Sequence, residues 1–153
     1  MRLVRAVAIA LGLACLVPAI PGVRPGTPDD LDLVADLDRE LRRGPHGPDL
    51  TLLLDLGARL LIVNQGAHRG YAVLRREPLI VAATDPATAQ ELLWTALAES
   101  PDGTLTVRDI RGDQQWAIHV AVRAGLRLAA TGPICRQGDT GPMRPYLPHS
   151  ALL

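Results

Sequence analysis

The sequence predicts an α/β (α+β) fold with a mixed, largely antiparallel central sheet flanked by helices. Helix-like and strand-like segments alternate along the chain, and three short apolar runs between residues 59 and 83 lie close enough to pair as a meander. Hydrophobic residues make up 48% of the 153 residues, whereas aromatic residues make up 3% and Phe is absent. One domain with an aliphatic core is therefore expected.

The first 22 residues form a segment of their own, followed by a domain over residues 23–153. Arg2 and Arg5 precede an apolar run over residues 6–17, which ends at Pro18. This layout is typical of a secretory signal, and the run is too short to span a bilayer as a helix. The alternative is a helix or strand that belongs to a preceding domain. We expect a cytoplasmic protein, with export through residues 1–22 as the alternative.

The domain opens with a short strand that ends at Pro25 and a helix with a strong start signal. Thr27 is placed as the N-cap, Pro28 as the first helical residue and Asp30 as the third. The inward helical spacing then holds Leu31, Val34, Leu37, Asp38 and Leu41. Residues 43–49 read as a loop, and residues 50–56 as a short apolar helix.

Three strands and a helix are expected next. Residues 59–63 and 70–74 predict a hairpin around a turn at residues 64–69, and residues 79–83 predict a third strand. A helix then begins after Asp85, with Pro86 in its first turn, and runs to about Glu99. Residues 104–110 alternate as a further strand.

The last helix–strand unit lies in residues 113–133. Asp113 is expected to cap a helix that ends at Gly125, and Leu128 lies on the expected inward face of the strand that follows. The inward helical stripe holds Trp116, Ala117, Val120 and Ala124. Residues 135–153 are expected to form an ordered extension that closes on Tyr146.

Charge and metal-binding patterns exclude several functions. Sixteen acidic residues balance sixteen basic ones, which are all Arg, so the sequence predicts no nucleic-acid binding. Cys15 and Cys135 flank no second metal ligand, and the four His residues form no zinc-binding motif. No metal and no membrane span are expected.

Two segments resemble GNAT acetyltransferases. The opening RPGTPDDLDLVADLDREL resembles the first strand and helix of that superfamily. A second set of residues resembles the last conserved helix of the superfamily: Gln114, Ala117, Val120, Ala121, Gly125 and Leu126. The tail and the run TDPATAQELLW resemble the C-terminal acetyltransferase-like domain of tandem bacterial GNAT proteins. The resemblance covers residues 23–133. It implies a GNAT-like sheet, acyl transfer from acetyl-CoA to an amine acceptor, and a second GNAT domain or a homodimer as partner.

Two departures from the family pattern favour an alternative. The Arg/Gln-x-x-Gly-x-Gly/Ala loop, which in that family holds the coenzyme pyrophosphate at a helix N-terminus, is replaced by residues 84–89 with Asp85. The tyrosine that commonly protonates the coenzyme A thiolate is replaced by Ala121. The alternative is a non-catalytic GNAT-like module for ligand binding or dimerisation.

Five side chains are the candidates for substrate binding. The resemblance implies a substrate-facing loop where the first of them lies, three are aromatic residues that offer stacking surfaces, and His119 is a candidate base. They are His46, Tyr71, Trp116, His119 and Tyr146. For acyl transfer, the general base would be His119 or Glu99. The sequence assigns no catalytic residue, no coenzyme-binding residue and no specific acceptor.

Overall fold

The computed structural model describes residues 3–9, 20–100, 104–132 and 138–149. In chain order the strands and helices are β1 (Leu3–Ile9), β2 (Arg24–Pro25), a 3-10 turn (Pro28–Asp30), α1 (Leu31–Arg42), α2 (Pro48–Asp55), β3 (Arg59–Gln65), β4 (His68–Leu74), β5 (Pro78–Ala83), α3 (Pro86–Ala98), β6 (Thr104–Arg111), α4 (Gln115–Arg123), β7 (Arg127–Gly132) and β8 (Tyr146–Leu147).

The described strands form two antiparallel sheets, which confirms the predicted fold class. The larger sheet has the order β2-β3-β4-β5-β8, with the predicted meander β3–β5 at its centre. The smaller has the order β6-β1-β7, so β1 pairs on both of its edges. The segment 1–22 thus contributes a strand to the fold, while residues 10–19, Cys15 among them, lie outside the described residues.

The five-stranded sheet separates two hydrophobic clusters. Alternate residues of the meander point to opposite faces, as the strand period of two requires. Leu61, Ala72 and Val81 face α3 and α4, whereas Ile62, Tyr71 and Ile80 face α1 and α2. Helices therefore cover both faces of the sheet, and the core is aliphatic as predicted.

Two helix starts carry the strongest sequence signals. That of α3 is formed as predicted, whereas Thr27 precedes a 3-10 turn, Pro28–Asp30, and α1 begins only at Leu31. The backbone N–H of Thr27 donates to Asp30 Oδ2 at 2.8 Å, and Arg24 binds the same carboxylate, which lowers the pKa of Asp30 to about 2. The N–H of Thr88 donates to Asp85 Oδ1 at 2.9 Å at the start of α3. These caps satisfy backbone donors that the first helical turn leaves free.

Two predictions for the last helix–strand unit are wrong. The N-cap of α4 is Gln114, because the carboxylate of Asp113 instead binds Arg111 and Arg144. In β7 the residues from 127 to 130 are all exposed, Leu128 at 42%, so the alternating inward face does not exist there. Gly125, with φ of +75°, ends α4 as expected.

Several boundaries are shifted. The hairpin strands β3 and β4 are longer than predicted and leave only residues 66 and 67 as the turn, and α2 begins two residues earlier, at Pro48. The C-terminal extension is ordered around Tyr146, as expected: β8 pairs with β5, Val81 opposite Leu147 and Ala82 opposite Tyr146. Cys135 and the final leucines lie outside the described residues.

Candidate functional site

Three of the five candidate residues meet inside the protein. His46, Tyr71 and Tyr146 surround Asp38, an acidic residue on the inward face of α1. The side chains of Asp38 and His46 are 1% and 3% exposed. Because a buried carboxyl group is costly unless it is hydrogen-bonded, its partners decide whether it can take part in chemistry. We call these four residues the Asp38 network.

Three hydrogen bonds converge on the carboxyl group of Asp38. The hydroxyl of Tyr71 donates to Oδ1 at 2.5 Å, and the backbone N–H of His46 donates to Oδ2 at 3.0 Å. Nδ1 of His46 lies 2.8 Å from the same Oδ2. Since this oxygen accepts, Nδ1 carries the proton, and in the neutral ring Nε2 accepts from the hydroxyl of Tyr146 at 3.3 Å.

Local sequence explains how these side chains reach one another. Asp38 follows Val34 and Leu37 on the buried stripe of α1, so its side chain faces the sheet. Arg43 ends α1 in a left-handed conformation, φ +68°, and this turns the loop that carries His46 back over the helix. Tyr71 comes from β4 and Tyr146 from β8.

Both tyrosine hydroxyls of the Asp38 network are neutral donors. Burial raises the pKa of Tyr71 well above 10, and it also raises the pKa of Tyr146. The carboxyl group of Asp38 acts in the same direction on both. A phenolate is therefore not formed near neutral pH, and neither tyrosine is activated as a nucleophile.

A cavity of about 200 Å³ adjoins the network on the side of Asp38. Its walls come from α1, the following loop and α2: Leu31, Val34, Ala35, Asp38, Pro45, Gly47, Leu50 and Thr51. An Asp–His–Tyr arrangement is chemically suited to proton transfer. Here, however, both oxygens of Asp38 and both ring nitrogens of His46 are already bound within the protein. The geometry therefore favours a structural role, in which the network joins α1, β4 and β8.

The remaining candidates lie elsewhere. Trp116 packs in the cluster on the opposite face of the sheet, and its indole N–H donates to Gln114 Oε1. His119 is exposed on α4. Glu99 lies at the end of α3, where Oε2 is 2.9 Å from Arg59. Neither of the two proposed bases lies next to the Asp38 network.

Two buried polar side chains, Gln114 and Arg111, bind the backbone of the C-terminal segment. The sequence does not predict these contacts. Gln114, 1% exposed, donates from Nε2 to the carbonyls of Met143 and Tyr146, both at 3.1 Å. Arg111, also 1% exposed, donates to the carbonyl of Met143. At β5, the N–H of Ala83 donates to the carbonyl of Pro145 at 3.3 Å. Main-chain contacts of this kind leave no sequence pattern by which to predict them.

The junction between β5 and α3 is occupied by a carboxylate. Asp85 accepts from both the N–H and the hydroxyl of Thr88, at 2.9 and 2.6 Å, and lies 3.0 Å from Nδ1 of His68. Although partial burial opposes ionisation, the bonds from Thr88 and His68 lower the pKa of Asp85 to about 2. Near neutral pH this helix N-terminus therefore already holds a negative charge.

Comparison with known proteins finds no matching family model, no matching curated protein and no matching solved structure. Within the described ranges, no group of three or more His, Cys, Asp or Glu residues is placed to hold a metal ion. None of the helices described has both the length and the apolar character needed to cross a bilayer.

Proposed function

We propose that this chain is a non-catalytic module of GNAT-like architecture, which serves an N-acyltransferase by binding a ligand or a partner domain and does not itself hold acetyl-CoA. The observation that carries the proposal is the carboxylate of Asp85 at the N-terminus of α3. In the family that the sequence resembles, backbone N–H groups at this junction bind the coenzyme pyrophosphate. Here Asp85 uses the N–H of Thr88, and its charge repels a phosphate.

The C-terminal segment supports the same proposal. It pairs with the edge of β5 that β4 leaves free, and the carbonyl of Pro145 takes the N–H of Ala83, two residues before Asp85. An extended ligand that approached α3 along β5 would have to displace this segment. It would also break the contacts of Gln114 with Met143 and Tyr146.

An active N-acyltransferase is the second candidate. The order of helices and strands and the antiparallel sheet agree with the architecture that the resemblance implies. The pair His46–Tyr146 has the acid–base chemistry that removal of a proton from an amine requires, although both side chains are buried. For this candidate, a conformational change would have to release Tyr146 and vacate the N-terminus of α3.

Calorimetric titration with acetyl-CoA, with desulfo-CoA as the control ligand, separates the two candidates. We expect no binding heat at ligand concentrations up to about 1 mM, a level that detects even weak complexes. A micromolar Kd would overturn the non-catalytic proposal, and turnover of a panel of amines would then be measured. A matched variant, Asp85→Ser, keeps a capping side chain and removes the charge. If it binds acetyl-CoA and the native chain does not, the carboxylate is the obstacle.

A further inference from the structure

A second cavity, of about 340 Å³, is separate from the Asp38 network. It shares no lining residue with the cavity of about 200 Å³ that adjoins that network. It is open to solvent on one side and is lined by β2 and the segment after it, the end of α2, the start of β3 and the residue that follows α3. The lining residues are Pro25, Gly26, Thr27, Pro28, Leu54, Ala58, Arg59, Leu60, Leu61 and Glu99. Its volume is at the lower end of the range for small-molecule sites, roughly 300–1,000 Å³.

The walls are apolar and poor in hydrogen-bond donors. Pro25 and Pro28 have no backbone N–H. The N–H of Gly26 donates to the carbonyl of Leu60 at 2.7 Å, so it is not available to a ligand. The side chains of Leu54 and Leu60 supply aliphatic surface. A ligand in this cavity would therefore gain most of its affinity from apolar contact.

The charged groups at the cavity already have partners in the protein. The guanidinium of Arg59 contacts Glu99 twice. Nη1 lies 2.9 Å from Oε2 of Glu99, and Nη2 donates to the backbone carbonyl of Glu99 at 2.9 Å. The hydroxyl of Thr27 contacts Asp30 Oδ2 at 3.3 Å. A ligand carboxylate that approached Arg59 would meet Glu99, and a ligand ammonium that approached Glu99 would meet Arg59. An ionic ligand would therefore meet a like charge next to the group that attracts it, whereas a neutral ligand leaves the pair undisturbed.

We propose that this cavity binds a neutral, apolar small molecule with the size of a single ring or of two fused rings. The size follows from its volume, since an apolar cavity of roughly 150 Å³ is enough for benzene. The neutral class follows from the satisfied Arg59–Glu99 pair and from the lack of free donors at Pro25, Gly26 and Pro28. This site is independent of the proposal about acetyl-CoA.

Three probes with one ring system and different charges test the ligand class. Indole is neutral, tryptamine is a cation and indole-3-acetate is an anion. In ¹H–¹⁵N NMR titrations we expect indole to bind with a Kd of about 1 mM or below, and to shift the amide signals of Gly26 and Leu60. Each charged probe should bind at least about tenfold more weakly. Equal or tighter binding of a charged probe, or no shift at Gly26 and Leu60 with indole, would overturn the proposal.

Two variants of one helix localise the site. Leu54 is half-buried and lines the cavity, whereas Leu52 is 58% exposed on the same helix and does not. Leu54→Trp should fill the cavity and abolish indole binding, while Leu52→Trp should bind indole as the native chain does. Circular dichroism establishes that both variants fold. If Leu54→Trp is unfolded, Leu54→Phe replaces it. Undiminished indole binding by a folded Leu54 variant would refute this location.

Discussion

The hydroxyl groups of the two tyrosines should contribute unequally to stability, although both belong to the Asp38 network. Tyr71 donates at 2.5 Å to a buried carboxyl group, whereas Tyr146 contacts a histidine ring nitrogen at 3.3 Å. A hydrogen bond to a charged group contributes roughly 1.5–3 kcal/mol and a neutral one roughly 0.5–1.5 kcal/mol. The change Tyr→Phe removes one oxygen and leaves the ring packing in place.

We expect Tyr71→Phe to lower the free energy of unfolding by about 2 kcal/mol and Tyr146→Phe by about 1 kcal/mol or less. After Tyr71→Phe, Asp38 keeps both bonds from His46, so the cost remains below that of an unpaired buried charge. For a domain of this size, 1 kcal/mol corresponds to roughly 2–4 °C in Tm. Tyr71→Phe should therefore lower Tm by about 4–8 °C.

Urea unfolding at neutral pH, followed by far-ultraviolet circular dichroism, measures both variants. The sequence contains only these two tyrosines, so each variant is the matched control of the other. Equal costs, or a larger cost for Tyr146→Phe, would refute the view that Asp38 is the main polar anchor. The double variant tests their coupling, since both hydroxyls belong to one network that runs through Asp38 and His46. Its cost should differ from the sum of the two single costs by at least about 0.5 kcal/mol.

Two further predictions concern a helix cap and a close backbone contact. The pKa of Asp85 is lowered from 3.8 to about 2. The stabilising contribution of its charge should therefore be complete above about pH 4 and lost as the pH falls towards 2. Over that range, the difference in unfolding free energy between the native chain and Asp85→Asn should shrink. Gly26→Ala would place a Cβ 2.5 Å from Leu60 Cγ and should cost about 1–3 kcal/mol in a urea unfolding experiment, whereas Gly44→Ala, with no atom within 4 Å, should cost less than about 0.5 kcal/mol. An unchanged pH difference for Asp85→Asn, or equal costs for the two glycine variants, would contradict these assignments.

Local signals in the sequence were enough to predict most of the elements. The cap residues Thr27 and Asp85 mark the start of the 3-10 turn that leads into α1 and the start of α3, because capping depends on residues only three positions apart. The meander followed from apolar runs separated by turn residues. The prediction for β7 failed because strand alternation shows which residues share a face, not whether another layer covers that face. Leu128 is exposed for that reason.

The Asp38 network was predictable only in part. His46 is a loop histidine and Tyr71 and Tyr146 are rare aromatic residues, which makes them candidates, and the structure brings them together. Asp38 fits the helical spacing of α1, and that spacing alone does not distinguish a site residue from a core position. An acidic residue on an apolar stripe does indicate a buried polar contact. Its partners, however, lie 8, 33 and 108 positions along the chain, and such distances are bridged only by the tertiary fold.

His46 and Tyr146 carry side chains that are common in acid–base chemistry, and in this protein their contact holds the C-terminal segment in place. Tyr146 is bound through its hydroxyl by His46, through its carbonyl by Gln114, and through its backbone by β5. Each of these polar atoms therefore already has a protein partner. The cavity at Leu54 differs, because it offers apolar surface whose occupation breaks no hydrogen bond. The proposal of a non-catalytic module and the proposal of an apolar ligand site both rest on this difference between bonded polar groups and unoccupied apolar surface.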